Sequence, residues 1–180
     1  MDELKINDKV LALAQIPEND EILLQPEPNA DMEIDEGPME RSSDTNTALI
    51  VDDENMNVFF MRNTLKALGI SCDSTMVPTK AVKLVEERLA KVAEGTAKMY
   101  KLLLIDYSMP DLDGIELVKK LRAMIDASQL CEEQPIYCCC TAYDTEEHHD
   151  IAIQSGFNYF MVKPVNKDDL QEIIEKHDIQ

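Results

Sequence analysis

Five short apolar runs of strand length alternate with stretches whose apolar residues recur at helical spacing, and few folds accommodate that alternation. The runs cover residues 48–51, 70–77, 102–105, 136–140 and 159–162. The second is weaker and carries polar residues, as an edge strand would. Between the runs, Val58, Met61, Leu65 and Leu68 mark one helix, with Gly69 at its end. Ala81, Leu84, Val85, Leu89 and Val92 mark a second, and residues 94–100 read as a loop. Ile115, Val118, Leu121, Met124 and Ile125 mark a third. A weak fourth helix spans 145–155 and closes at Gly156; Asn166 caps a fifth, whose Leu170, Ile173 and Ile174 face inward. Five strands alternating with five helices predict an α/β fold with a doubly wound, five-stranded parallel sheet. Right-handed crossovers then bring every strand's C-terminal end to one edge, where such sheets bind ligands.

The residues expected along that edge are chemically pointed. The first strand ends in Asp52 and Asp53, the third in Asp106, the fourth in Thr141 and the fifth in Lys163-Pro164. Taken singly, each has an ordinary explanation as a helix cap, a turn residue or a solvated side chain. Jointly they place three carboxylates, a hydroxyl and an ammonium on one sheet edge. Three packed carboxylates repel and raise one another's pKa, and a divalent cation resolves that conflict. Oxygen donors without Cys or His suit a hard ion, and magnesium is the natural choice. A cation held by few carboxylates keeps positions open for a phosphate group. The arrangement suits placing a phosphoryl group on Asp106, with Asp52 and Asp53 holding the metal.

The segments LIVDDENMN, LLLIDYSMPDLDG, CCCTA and FMVKP, in that order, resemble the receiver domain of two-component response regulators, from Ala48 to about Lys176. Asp106, Met109, Pro110, Asp113 and Gly114 match that family's phosphoacceptor loop. The resemblance implies the flavodoxin-like strand order 2-1-3-4-5. It implies that Asp106 takes a phosphoryl group from a phosphohistidine on a histidine kinase or histidine phosphotransfer protein. It also implies magnesium ligation by Asp53, Asp106 and the backbone carbonyl of Ser108, with Asp52 acting mainly through water. Thr141 and Lys163 would bond phosphoryl oxygens. The Lys163–Pro164 peptide would be cis. Phe160, three residues before the lysine, would be the aromatic switch. Pro110, Gly114 and Pro164 would be structural at the site. A downstream target would bind the face made by the fourth helix, fifth strand and fifth helix. Val77-Pro78-Thr79 replaces the family's usual glycine-containing turn after the second strand, in a region expected to lie far from the site.

Two other readings compete. An aspartyl-nucleophile phosphatase or phosphotransferase wants a second acid two residues after the nucleophile, and Ser108 stands there. A receiver-like scaffold that binds partners without phosphate has no need of the complete set of acids, threonine and lysine. The expected role is therefore a signalling module and not a conventional enzyme.

Charge and composition narrow the partners. The chain carries 36 acids against 17 bases, a net charge of -19, which repels phosphate backbones and disfavours nucleic acid. Residues 1–46 hold 13 Asp or Glu and 3 Lys or Arg, and their prolines break up long elements. They read as an acidic, largely irregular extension or linker before a domain over 47–180. The residues after Lys163 suffice for one helix. The chain is expected to be a single-domain regulator or the receiver of a hybrid histidine kinase. No run reaches 18 consecutive apolar residues, and the N-terminus lacks an apolar signal core, so membrane insertion and secretion are not expected. Of the five cysteines, Cys138, Cys139 and Cys140 are consecutive, and alternate strand faces forbid a shared tetrahedral site. Reduced thiols in a cytoplasmic protein are expected. His148 and His149 are expected on a solvated helix face.

Overall fold

The computed structural model describes residues 44–179. Nearly all of the acidic extension expected over 1–46 lies outside the described residues. Five strands and five helices alternate: β1 (Ala48–Val51), α1 (Asn55–Ala67), β2 (Cys72–Thr75), α2 (Pro78–Ala93), β3 (Leu102–Asp106), α3 (Gly114–Ser128), β4 (Ile136–Thr141), α4 (Glu146–Ser155), β5 (Tyr159–Val162) and α5 (Lys167–Lys176). The sheet is parallel throughout, in the order β2-β1-β3-β4-β5. This is the expected flavodoxin-like architecture.

Alternation along the buried strands sorts side chains onto two faces. Leu49, Val51, Leu103, Ile105, Tyr137 and Cys139 pack against α2 and α3, through residues such as Val85, Leu89, Leu117 and Leu121. Ala48, Ile50, Leu102, Leu104, Cys138, Cys140 and Met161 pack on the other face against α1 and α5. Cys138 and Cys140 therefore face away from Cys139, and all three are buried, free thiols. Burial pushes the Cys139 thiol up to about 12, so it behaves as a small hydrophobe. No helix among the described residues is long and apolar enough to cross a membrane.

Element ends obey local chemistry. Asp113 caps α3 by accepting the Glu116 N–H at 2.8 Å, and Asn166 caps α5 by accepting the Asp168 N–H at 3.0 Å. β2 is shorter than the run 70–77 that predicted it. Ile70 closes the end of α1, its N–H donating to the Leu65 carbonyl at 2.9 Å beyond Gly69 at φ 78°. At the other end Val77 is already the N-cap of α2, and Pro78 opens that helix. The Val77-Pro78-Thr79 turn also comes after a strand's C-terminal end. It therefore lies on the same sheet edge as Asp52 and Asp106, beside the outermost strand, and not remote from that edge as expected.

The α2 stripe contains a residue that apolar periodicity passes over. Arg88, 1% exposed, pairs with Asp73 of β2 at 2.9 Å and lies 4.2 Å from the Tyr100 ring centroid. Tyr100 Oη donates to Asp73 Oδ2 at 2.6 Å, and Asn46 Nδ2 donates to Asp73 Oδ1 at 2.7 Å. Burial, reinforced by Asp73, pushes the Tyr100 hydroxyl up to about 12, so it stays a donor. Arg88 Nη1 also donates to the Asp44 carbonyl at 3.2 Å. The network ties the lead-in to β1 onto α2.

Candidate functional site

Register aligns the site. Val51 pairs with Ile105, so Asp52 stands one step past β1, level with Asp106 at the end of β3. Asp106 pairs with Cys140, and the next residue, Thr141, pairs with Val162, which precedes Lys163. The carboxylates of Asp52, Asp53 and Asp106 each offer an oxygen within 4.8 Å of the others. Asp52 and Asp106 are buried, and Asp53 is exposed.

Lys163 answers the two buried charges. Its Nζ lies 2.8 Å from Asp106 Oδ1 and 2.7 Å from Asp52 Oδ2. The contact to Asp106 is a hydrogen bond; Asp52 Oδ2 receives none of proper direction and is left without a hydrogen-bond partner. Asp52 Oδ1, by contrast, accepts the Glu54 N–H at 3.0 Å and Asn57 Nδ2 at 3.1 Å. A buried carboxylate oxygen that must share the Lys163 ammonium with Asp106, beside two more carboxylates, fits a hard divalent cation.

The titration of these groups agrees. Burial pushes the Asp106 carboxyl up to about 6; Lys163 opposes that, Asp52 adds to it, and a hydrogen bond from the Ser108 backbone lowers it slightly. Burial alone would lower Lys163, but Asp106 and Asp52 together hold it above its ordinary value. The lysine stays charged and stands in for part of the positive charge the three acids call for.

The loop after Asp106 is built around Gly114. Its N–H donates to the Tyr107 carbonyl at 3.0 Å, and a Cβ there would sit 2.2 Å from the Asp106 carbonyl oxygen. Only glycine fits that approach. The Pro110 carbonyl accepts the Leu112 N–H at 2.8 Å, tightening the same loop. The Lys163–Pro164 bond is cis. Thr141 is buried, and its hydroxyl accepts the Tyr143 N–H at 3.0 Å. Phe160 is half-buried against the core and meets the His149 ring edge-on, with centroids 5.4 Å apart.

Sequence reasoning missed two groups of residues here. Asn57, inside the quoted segment LIVDDENMN, orients Asp52; a polar residue in the first helical turn after an acid pair was the available signal. His148 is not simply solvated. It is half-buried, stacks on Tyr143 with centroids 4.8 Å apart and makes a T-shaped contact with Tyr107 at 5.4 Å.

Known proteins share this fold. The sequence model of the family described as response regulator receiver domain matches residues 48–175. A chemotaxis protein CheY homolog of Campylobacter jejuni is 32% identical over 127 residues, covering 71% of this chain and 88% of that protein. Hybrid signal transduction histidine kinase L of Dictyostelium discoideum is 27% identical over 129 residues, 72% of this chain; the match spans only 7% of that kinase. Among solved structures, the receiver domain of the histidine kinase CKI1 from Arabidopsis thaliana, complexed with Mg2+ and BeF3-, superposes with a TM-score of 0.64 at 22% identity. That match covers 74% of this chain and 89% of that one.

Proposed function

The chain belongs to the response regulator receiver domain family of two-component phosphorelay signalling, and on that premise we propose that Asp106 is the residue that takes the phosphoryl group. The observation that carries this reading is the cluster of Asp52, Asp53 and Asp106 within 4.8 Å, with Lys163 bridging Asp52 and Asp106. The donor is a phosphohistidine of a histidine kinase or phosphotransfer protein. An Asp106 carboxylate oxygen attacks phosphorus in line. The O–P bond forms as the N–P bond breaks, and the departing imidazole keeps the electron pair. Lys163 turns its ammonium from the carboxylate to a phosphoryl oxygen, and the Thr141 hydroxyl donates a hydrogen bond to another. Asp52, Asp53, Asp106 and the Ser108 backbone carbonyl would hold magnesium. When bound, that ion supplies the charge that screens the acids from the incoming phosphoryl oxygens.

Burial of Asp106 keeps bulk water from the product, and the loop around Gly114 holds the nucleophile in place. Asn57 and the Glu54 N–H keep Asp52 turned toward the cluster. Phe160, between the core and His149, is the switch residue, and the face of α4, β5 and α5 is where a downstream target binds. The donor needs its own contact surface. Met56, Phe59 and Phe60 on α1, which begins next to Asp53, are each more than half exposed and offer an apolar patch.

The test is binding of beryllofluoride with magnesium, measured by calorimetry. The wild-type chain is expected to bind one beryllofluoride only when magnesium is present, and Asp106→Asn is expected to bind none. Equal binding by the variant would remove Asp106 from the role. Steady release of phosphate from many small phosphate esters per protein would instead favour the phosphatase reading.

A further inference from the structure

Asp52 is held from one side by a residue that also holds a fourth acid. The Asn57 side-chain amide has two N–H groups to give, and both face carboxylates. Its Nδ2 donates to Asp52 Oδ1 at 3.1 Å and to Glu54 Oε2 at 2.9 Å. The amide's carbonyl end would repel both acids, so Asn57 sits between them in one orientation only. The Glu54 backbone N–H donates to the same Asp52 Oδ1 at 3.0 Å. Glu54 is the N-cap of α1, yet its side chain makes no capping bond. Its carboxylate is exposed and stands one side chain away from Asp52, but it is not among the acids whose oxygens lie within 4.8 Å of one another. Asn57 thus separates an inner set of three carboxylates from an outer one.

Charge and ligand number give that separation a consequence. Asp52, Asp53 and Asp106 balance the Lys163 ammonium and one divalent cation. A fourth carboxylate would leave the pocket negative and oppose an incoming phosphoryl group. It would also add a ligand. Magnesium demands a tight octahedron and keeps several waters, whereas calcium takes about six to eight oxygens in looser geometry.

We propose that Asn57 is a positioning residue that sets the cation preference of the site: by engaging Glu54 and Asp52 Oδ1 together, it withholds a fourth carboxylate and so tilts the site toward magnesium and away from calcium. The inference rests on the reading of Asp52, Asp53 and Asp106 as a magnesium site. The preference follows from a fixed arrangement, because both hydrogen bonds stand in the structure and decide which oxygens remain available. Asp52 Oδ1 already accepts two donors, which leaves Oδ2 to the cluster.

The test is titration of the full 180-residue chain with magnesium and, separately, with calcium, followed by backbone NMR. The Tyr107 and Gly114 amides abut the Asp106 backbone and report this site apart from the chain's other acids. The ratio of the two dissociation constants is the readout. In Asn57→Ala it is expected to shift toward calcium about tenfold, the order that residues supporting metal ligands command. Asn57→Leu, close in shape and without donors, is expected to give the same shift and covers a loss of structure in the smaller variant. Adding Glu54→Gln to either is expected to return the ratio to within about twofold of the wild type, because the released carboxylate is gone. An unchanged ratio in both Asn57 variants, or a shift that survives Glu54→Gln, overturns the inference and leaves the magnesium site in place. Absence of any magnesium response at both amides of the wild type overturns the magnesium reading and this inference with it.

Discussion

At the scale of single residues, the backbone of Asp106 leaves room for nothing larger than glycine at position 114. A Cβ at position 114 would meet the Asp106 carbonyl oxygen at 2.2 Å, a backbone atom that cannot swing aside. Gly114→Ala is therefore expected to cost about 1–3 kcal/mol in urea denaturation, as overpacked sites do. Because the shift falls on the backbone of the proposed nucleophile, labelling by a small acyl phosphate should slow at least about tenfold, an order set by misplaced reacting atoms. Unchanged stability and labelling would mean that the loop yields freely. The Asp106 carboxyl itself, pushed up to about 6 by burial, gives a pH signature without metal. Free Asp titrates near about 4. Between about pH 4 and 6 the folded chain thus holds a proton that the unfolded chain has lost, so this group stabilises the fold below that window and the contribution disappears as pH rises through 6. In a chelating buffer, the thermal midpoint of the wild type should rise relative to Asp106→Asn as pH falls from 7 to 5. Parallel midpoints across that range would show the carboxyl unperturbed.

At the scale of elements, α1 and α2 carry opposite surprises. α2 buries a charge: Arg88 against Asp73 and Tyr100, with Asn46 completing the Asp73 carboxylate. Removing one partner of a buried pair leaves the other uncompensated, so Arg88→Ala is expected to cost about 3–5 kcal/mol. The network lies apart from the acid cluster. Arg88→Ala, assayed cold where it stays folded, should therefore label as well as wild type. A loss under about 1 kcal/mol would show that water replaces the guanidinium, as at an exposed pair. α1 does the reverse and exposes Met56, Phe59 and Phe60. Phe59→Ala with Phe60→Ala is expected to slow transfer from a phosphohistidine protein about tenfold or more, the loss typical of apolar interface anchors. Labelling by a small acyl phosphate, which needs no docking, should be unaffected. Equal slowing with both donors would place the defect in the site and not in docking.

At the scale of the whole molecule, the fold is legible because its signals are periodic and repeat. Apolar runs and helical stripes mark all ten elements and, with right-handed crossovers, the common edge. The same logic brings Asp52, Asp53, Asp106 and Lys163 together from the sequence alone, since strand ends need no knowledge of side-chain contacts. What fails lies outside periodicity. Arg88 sits at a core position of α2, and partners on other elements explain it, among them Asp73, 15 residues earlier, and the Tyr100 ring. His148 looks solvated in the sequence because its partners, Tyr107 and Tyr143, come from two loops that the sheet alone brings together. β2 reads too long because Ile70 and Val77 are apolar for reasons of helix ends, not of the sheet. Asn57 escapes notice because its role is to turn another side chain and not to carry charge.

The phosphoryl group's address is the most direct measurement. The wild-type chain is incubated with a small acyl phosphate and magnesium, then treated with borohydride, which reduces an aspartyl phosphate to homoserine. Peptide mass spectrometry should find homoserine at position 106 and aspartate at positions 52 and 53. Homoserine at another aspartate, or an intact Asp106 in protein that has taken up phosphate, would contradict the account.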